Sequence, residues 1–285
     1  MRIRTLIAAA LMVISLLVYA SRASADNYAL VISGASGGPA YAEKYNGWRT
    51  TLTTTLTSRF GYPDERVVSI GDASKDQVLQ AFAKLRVQLT KDDTLAVMLM
   101  GHGTGEKFNL VGPDMSAAEW AAQLKPIPAR IVFVDMASSS FPFLRQLSAP
   151  GRIVITAAES DAQQFETVFP EFFVKGFSEG AADTDKDGRV SMLEAFTYAS
   201  ANVRAWFDQH NQLPTEHAML LGETEARATF LQPRVAASND PRAKRQADLE
   251  SAIADLRAKR SSMTPAAYDA ELERLLVELA RIPRP

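Results

Sequence analysis

The sequence predicts a three-layer α/β domain built on a mainly parallel sheet, with a helical hairpin appended at its C-terminal end. Three observations carry this reading. Apolar runs of four to seven residues recur without the period-two polarity of a half-exposed strand, so each reads as a strand buried on both faces. Amphipathic stretches separate several of them, as right-handed crossovers require. From about Asp240 onward the apolar residues fall at helical spacing instead.

Residues 1–25 stand apart from the domain. They carry a basic start, an apolar run from Leu6 to Ala20 and the small-residue site Ala23, Ser24 and Ala25. That is the pattern of a cleaved secretory signal peptide. A membrane anchor fits less well, since a span needs roughly 20 apolar residues. Cleavage would leave a chain with no membrane segment, in the periplasm or secreted.

The domain is expected over residues 26–235. Strands are read at YALVISG from Tyr28, VVSIG from Val67, TLAVMLMG from Thr94, RIVFVDMA from Arg130 and RIVITAA from Arg152. Helices are read from Tyr41 to Arg59, from Lys75 to Leu89, across EFFVKGFSEGA from Glu171, and after Glu194 through Phe207. Residues 236–285 form the expected hairpin. Leu249, Ile253 and Leu256 mark one arm, Tyr268, Leu272, Leu275, Leu276 and Leu279 the other, and Thr264 is an N-cap before Pro265. Its apolar face has three possible destinations: its own protein, a second copy, or a partner helix.

Composition excludes several classes. With 31 basic and 33 acidic residues there is no excess positive charge to hold nucleic acid or anionic lipid. The chain has no cysteine, hence no disulfide, no thiolate nucleophile and no cysteine metal site. The glycines from Gly34 to Gly38 match neither a dinucleotide nor a phosphate-loop spacing.

The sharpest local signal is DTDKDGRVSMLE, residues 183–194. Ca2+ takes six to eight hard oxygens, and this spacing offers carboxylates at Asp183, Asp185 and Asp187, a main-chain carbonyl at Arg189, a water-bridged group at Ser191 and a bidentate Glu194. Gly188 makes the sharp turn and Val190 faces inward. The competing reading is a loop whose acidic groups cap the next helix.

In an open α/β sheet, ligands collect at the carboxyl ends of the strands. There, His102 stands between two glycines after TLAVMLMG, where an imidazole can act as base and Gly103 can offer an amide donor. His210 and His217 have no metal-ligand spacing and read as surface and structural. One crossover later, RIVFVDMASSS ends a strand in Asp135, Met136, Ala137, Ser138, Ser139 and Ser140.

An apolar strand ending Gly-His-Gly, followed by one ending in an acidic residue and a Ser-rich turn, resembles the caspase-like cysteine peptidases, above all their legumain-like branch. The resemblance covers Tyr28 to about Phe177. It implies that His102 is the general base, with Gly103 beside it, and that the second strand should end Asp/Glu-Ala-Cys-x-Ser-Gly. Laid on that motif, Ala137 occupies the nucleophile position and Ser139 the family's serine. With the EF-hand-type loop and helical tail, the chain looks like exported bacterial members of this group that lack the cysteine.

The expectation is therefore a non-catalytic peptidase homologue that binds Ca2+ and a peptide or protein segment in the His102 cleft. The alternative is an active hydrolase using Ser138 or Ser139 with His102 as base. A third reading leaves the calcium loop as the sole ligand site on an ordinary α/β domain.

Overall fold

The computed structural model describes residues 26–160, 162–232 and 263–282, with isolated positions between 245 and 260. The signal-peptide expectation for residues 1–25 lies outside the described residues, as does most of the first arm of the expected hairpin. Among the described residues, no helix is long and apolar enough to cross a membrane.

In chain order the elements are β1 (Asn27–Ser33), α1 (Pro39–Thr54), β2 (Val67–Ile70), α2 (Lys75–Gln88) and β3 (Thr94–Met100). Three two-residue strands follow, β4 (Gly103–Thr104), β5 (Lys107–Phe108) and β6 (Met115–Ser116), then α3 (Ala117–Leu124), β7 (Arg130–Asp135), α4 (Phe141–Gln146) and β8 (Ile153–Thr156). The remainder is α5 (Phe169–Ser178), α6 (Met192–Gln209), β9 (Met219–Leu221), α7 (Glu223–Arg227) and α8 (Pro265–Ala280).

The main sheet runs β2-β1-β3-β7-β8-β9. All its pairings are parallel except β8 with β9. Alternate residues of each strand enter opposite cores. Val31, Met98, Val134 and Ile155 pack with Leu52, Phe173 and Phe177 on one face, and Ile32, Val97, Phe133 and Val154 with Phe82, Trp120 and Phe143 on the other. Covering both faces with helices makes continuous apolar runs the stable strand sequence.

Helix starts follow local chemistry. Ser74 with Gln77, Ser116 with Glu119, and Ser191 with Glu194 each form a reciprocal capping box at the starts of α2, α3 and α6. Thr264 caps α8 ahead of Pro265, as the sequence predicts.

The helix expected from Tyr41 to Arg59 is interrupted. It holds α geometry to Thr54 and continues as a π turn over Thr55–Arg59. Thr55 and Thr57 donate their hydroxyls to the carbonyls of Thr51 and Thr53, a back-bonding that loosens a helix. Arg59 is then aimed at the carbonyls of Phe177 and Ser178 at the C-terminal end of α5, where positive charge is favoured.

In the tail, Tyr268 and Leu275 of α8 bury themselves with Leu249, Ile253 and Leu256 in a cluster separate from the two cores of the sheet.

Candidate functional site

The strand order reverses direction at β1, which has β2 on one side and β3 on the other. The crevice outside the carboxyl ends of β1 and β3 is where such sheets place ligands, and His102 stands there. Its main chain is locked: its carbonyl accepts from Asn109 N, while Gly34 N donates to Met100 O. Gly101 has φ +153 and lies against Gly34, an approach and a conformation that favour glycine.

The His102 ring is partly buried in an aromatic corner that α1 supplies. Tyr45 Oη lies 3.1 Å from Nε2 and 3.3 Å from Nδ1. The Tyr41 ring meets the imidazole edge-on at a centroid distance of 4.7 Å. A Cβ on Gly37 would lie 4.0 Å from the ring, so the loop after β1 closes a further side. Burial, with Glu166 adding to it, raises the Tyr45 phenol above its ordinary range, so at neutral pH the residue presents a hydroxyl.

The turn after β7 touches this corner through Gly103. Gly103 N donates to Ser138 Oγ at 3.2 Å, and Ser138 Oγ in turn faces Gly103 O at 3.5 Å. A Cβ on Gly103 would lie only 2.2 Å from Ser138 O, so the two main chains meet with no room for a side chain. The Gly103 amide that could have served an oxyanion is thus engaged.

The rest of the turn is packed inward. Ala137 is fully buried in the same core cluster as Phe133 and Phe143. Ser140 Oγ accepts from Ala158 N at 3.1 Å, and Ser139 holds φ +54 while donating its N–H to Gln163 O. Asp135 is buried, and loss of hydration pushes its carboxyl up to about 8, against the one N–H it accepts from Ala137.

Residues 162–169 pack on the outer side. Thr167 Oγ1 donates to Met136 O at 2.6 Å, and Lys44 of α1 pairs with Glu166 at 2.6 Å. Glu216 accepts from Val168 N and Phe169 N at 2.8 and 2.9 Å, capping α5 from a distant loop. Burial raises Glu216 to about 7, the two amide bonds opposing the rise. His217, expected to be structural, lies near Gln163 and Glu159 at 2.9 and 3.5 Å; His210 is exposed and stacks on Trp206.

The second candidate lies at the far side of α5. Asp183, Asp185 and Asp187 each place a carboxylate oxygen within 4.8 Å of the others, so this triad could hold a metal ion. Asp183 Oδ1 is buried with no hydrogen-bond partner, which a cation would satisfy. Asp183 Oδ2 accepts from Gly188 N, and Gly188 takes φ +84 at the turn.

Glu194 and Ser191, expected as ligands, are brought to the loop but are engaged otherwise. Glu194 Oε1 accepts from Thr184 N and Asp185 N, and Oε2 from Ser191 N and Oγ, the capping box of α6. The Arg189 side chain pairs with Asp187 at 3.2 Å and lies 3.9 Å over the Phe230 ring centroid.

Tyr41, Tyr45, Thr167 and Glu216 are site residues that sequence reasoning missed. The spacing of Tyr41 and Tyr45 puts them on one helix face, a signal equally compatible with core packing. Compared with protein-family models and with curated proteins, the chain matches none.

Proposed function

We propose that the chain is an exported homologue of the caspase-like peptidases, of the legumain-like branch, that binds an extended peptide or protein segment at the His102 edge without cutting it and holds Ca2+ in the loop 183–194. The observation that carries the first half is that the His102 ring meets the Tyr45 hydroxyl, not a nucleophile, and that the neighbouring hydroxyl is bonded elsewhere. The imidazole faces Tyr45 Oη, and Ser138 Oγ is bonded to the main chain of Gly103. Nucleophilic catalysis needs a base within hydrogen-bond reach of a hydroxyl or thiol, and Ala137 offers neither. An aromatic corner with a polar tip suits recognition of a peptide group.

Ca2+ is the ion this loop fits by the chemistry of its donors. They are hard carboxylate oxygens, with no imidazole or thiolate in the triad. Asp183, Asp185 and Asp187 would hold it, with Glu194 turning from its cap to join them. The ion would brace the loop between α5 and α6.

One observation favours the hydrolase alternative. Ser139 sits at φ +54, a strained conformation for a residue with a side chain, and such strain gathers at functional strand ends.

The two readings separate in one experiment. A mixed peptide library is incubated with the protein at pH 5 to 8, cleavage is followed by mass spectrometry, and a fluorophosphonate probe is added in parallel. We expect retained peptides but no new termini and no adduct, with retention reduced in Tyr45→Phe and His102→Ala. An adduct on Ser138 or Ser139, or cleavage lost in His102→Ala, overturns the non-catalytic reading. For the ion, Ca2+ at a hundred times its Kd should add about 2.7 kcal/mol of stability, removed by chelator. A melting temperature indifferent to both would count against calcium.

A further inference from the structure

We infer that the segment Thr229–Gln232 is a surrogate partner strand for the cation loop, and that Phe230 and Gln232 set the loop's affinity for Ca2+. The inference rests on the calcium reading above.

A twelve-residue loop of this kind gains affinity when something fixes its exit half before the ion arrives, because less ordering remains to be done on binding. Here three successive exit residues are already fixed, and one short segment fixes them all. Val190 N donates to Gln232 Oε1 at 2.9 Å, Ser191 forms an antiparallel bridge with Phe230, and Met192 N donates to Thr229 O at 2.8 Å. The Arg189 guanidinium rests on the face of Phe230, and the same side chain pairs with Asp187, a member of the acidic triad.

The segment is itself tied down from behind. Leu231 is buried in the sheet's core, and its carbonyl accepts from Tyr62 Oη at 2.7 Å and from Asn27 Nδ2 at 3.3 Å. The exit half of the loop is therefore attached to the β1 and β2 side of the domain. Much of the entry half stands in solvent, with Asp185, Lys186 and Gly188 exposed. An ion that joins the two halves completes a structure already half built. Coupling of this kind is reciprocal, so the ion also steadies Thr229–Gln232.

The test is calorimetric titration of the full chain with Ca2+, alongside amide hydrogen exchange. Gln232→Ala removes one side-chain acceptor on a partly exposed residue and should weaken Ca2+ binding about three- to ten-fold, the worth of one main-chain hydrogen bond. Phe230→Ala should weaken it by at least as much, and Asp185→Ala should abolish it. In the wild type Ca2+ should slow exchange at Val190 and Met192, and in Gln232→Ala that protection should fall at Val190. Wild-type binding with both Phe230→Ala and Gln232→Ala unchanged overturns the coupling and leaves the calcium reading standing. No Ca2+ binding by the wild type overturns the calcium reading, and the coupling with it. Should Phe230→Ala fail to fold, Gln232→Ala decides alone.

Discussion

The turn after β7 and the loop 183–194 are both rich in small polar and acidic groups, yet they treat those groups in opposite ways. In the turn, Asp135, Ser138, Ser139 and Ser140 are all buried, and every hydrogen bond just described there is made to the protein's own main chain. In the loop, Asp185 is exposed and Asp183 keeps a buried oxygen with no partner. A polar group that is buried and satisfied stabilises or positions; one that is left unsatisfied has capacity for a ligand. Of the two regions, the loop keeps an unsatisfied acidic oxygen, and the turn is a brace for the His102 corner.

If the turn is a brace, its substitutions should register as stability. The largest effect should come from Asp135. Its folded value near 8 stands above the ordinary 3.8, so its contribution is fully present below about pH 4 and is lost as pH rises through 8. Wild-type stability should decline by up to about 1.4 kcal/mol per pH unit across that window. Asp135→Asn keeps an oxygen for Ala137 N and cannot ionise, so denaturant titrations at pH 5 and 9 should differ far less for it. Glu216 contributes a slope of the same sign over a narrower window, from about 4.5 to about 7, and hence a smaller total. An unchanged slope in Asp135→Asn would place the titration elsewhere.

Gly103→Ala comes next. The added Cβ would press on Ser138 O, and relief requires the main chains of two strand ends to part, at a cost of about 3 kcal/mol. Thermal unfolding measures it, and a variant as stable as the wild type would mean the two turns are not braced. The smallest effect is Ser140→Ala, which leaves the buried Ala158 N–H without its acceptor and should cost about 1 to 2 kcal/mol. A neutral result there would show that the turn's hydroxyls are dispensable.

The strands of the sheet that carry long apolar runs were legible because burial on both faces writes itself into every position of the run. Strands β4, β5 and β6 were not: two residues have no period. The three residues of β9 are no better. Helix α3 was not expected, although Ser116 and Glu119 stand at capping-box spacing. The acidic loop was legible because all its ligand candidates lie within one short segment. The His102 corner was only half legible, since His102, Gly103 and Ser138 were singled out while Tyr41 and Tyr45, Thr167 and Glu216 come from three other stretches of chain. Only the resemblance pointed to Ala137 as a nucleophile position, and packing shows its methyl in the core.

The strand order bears on how the chain assembles as it is made. The first described strand, β1, takes β2 on one flank and β3 on the other, and β7, β8 and β9 then join outward in the order of their appearance. Each strand after β1 pairs with one that precedes it in the chain, so every pairing in the sheet can form as soon as its later strand is available. The antiparallel β9 comes last beside β8 and becomes the edge on that flank, where its three residues leave only a short template for another chain.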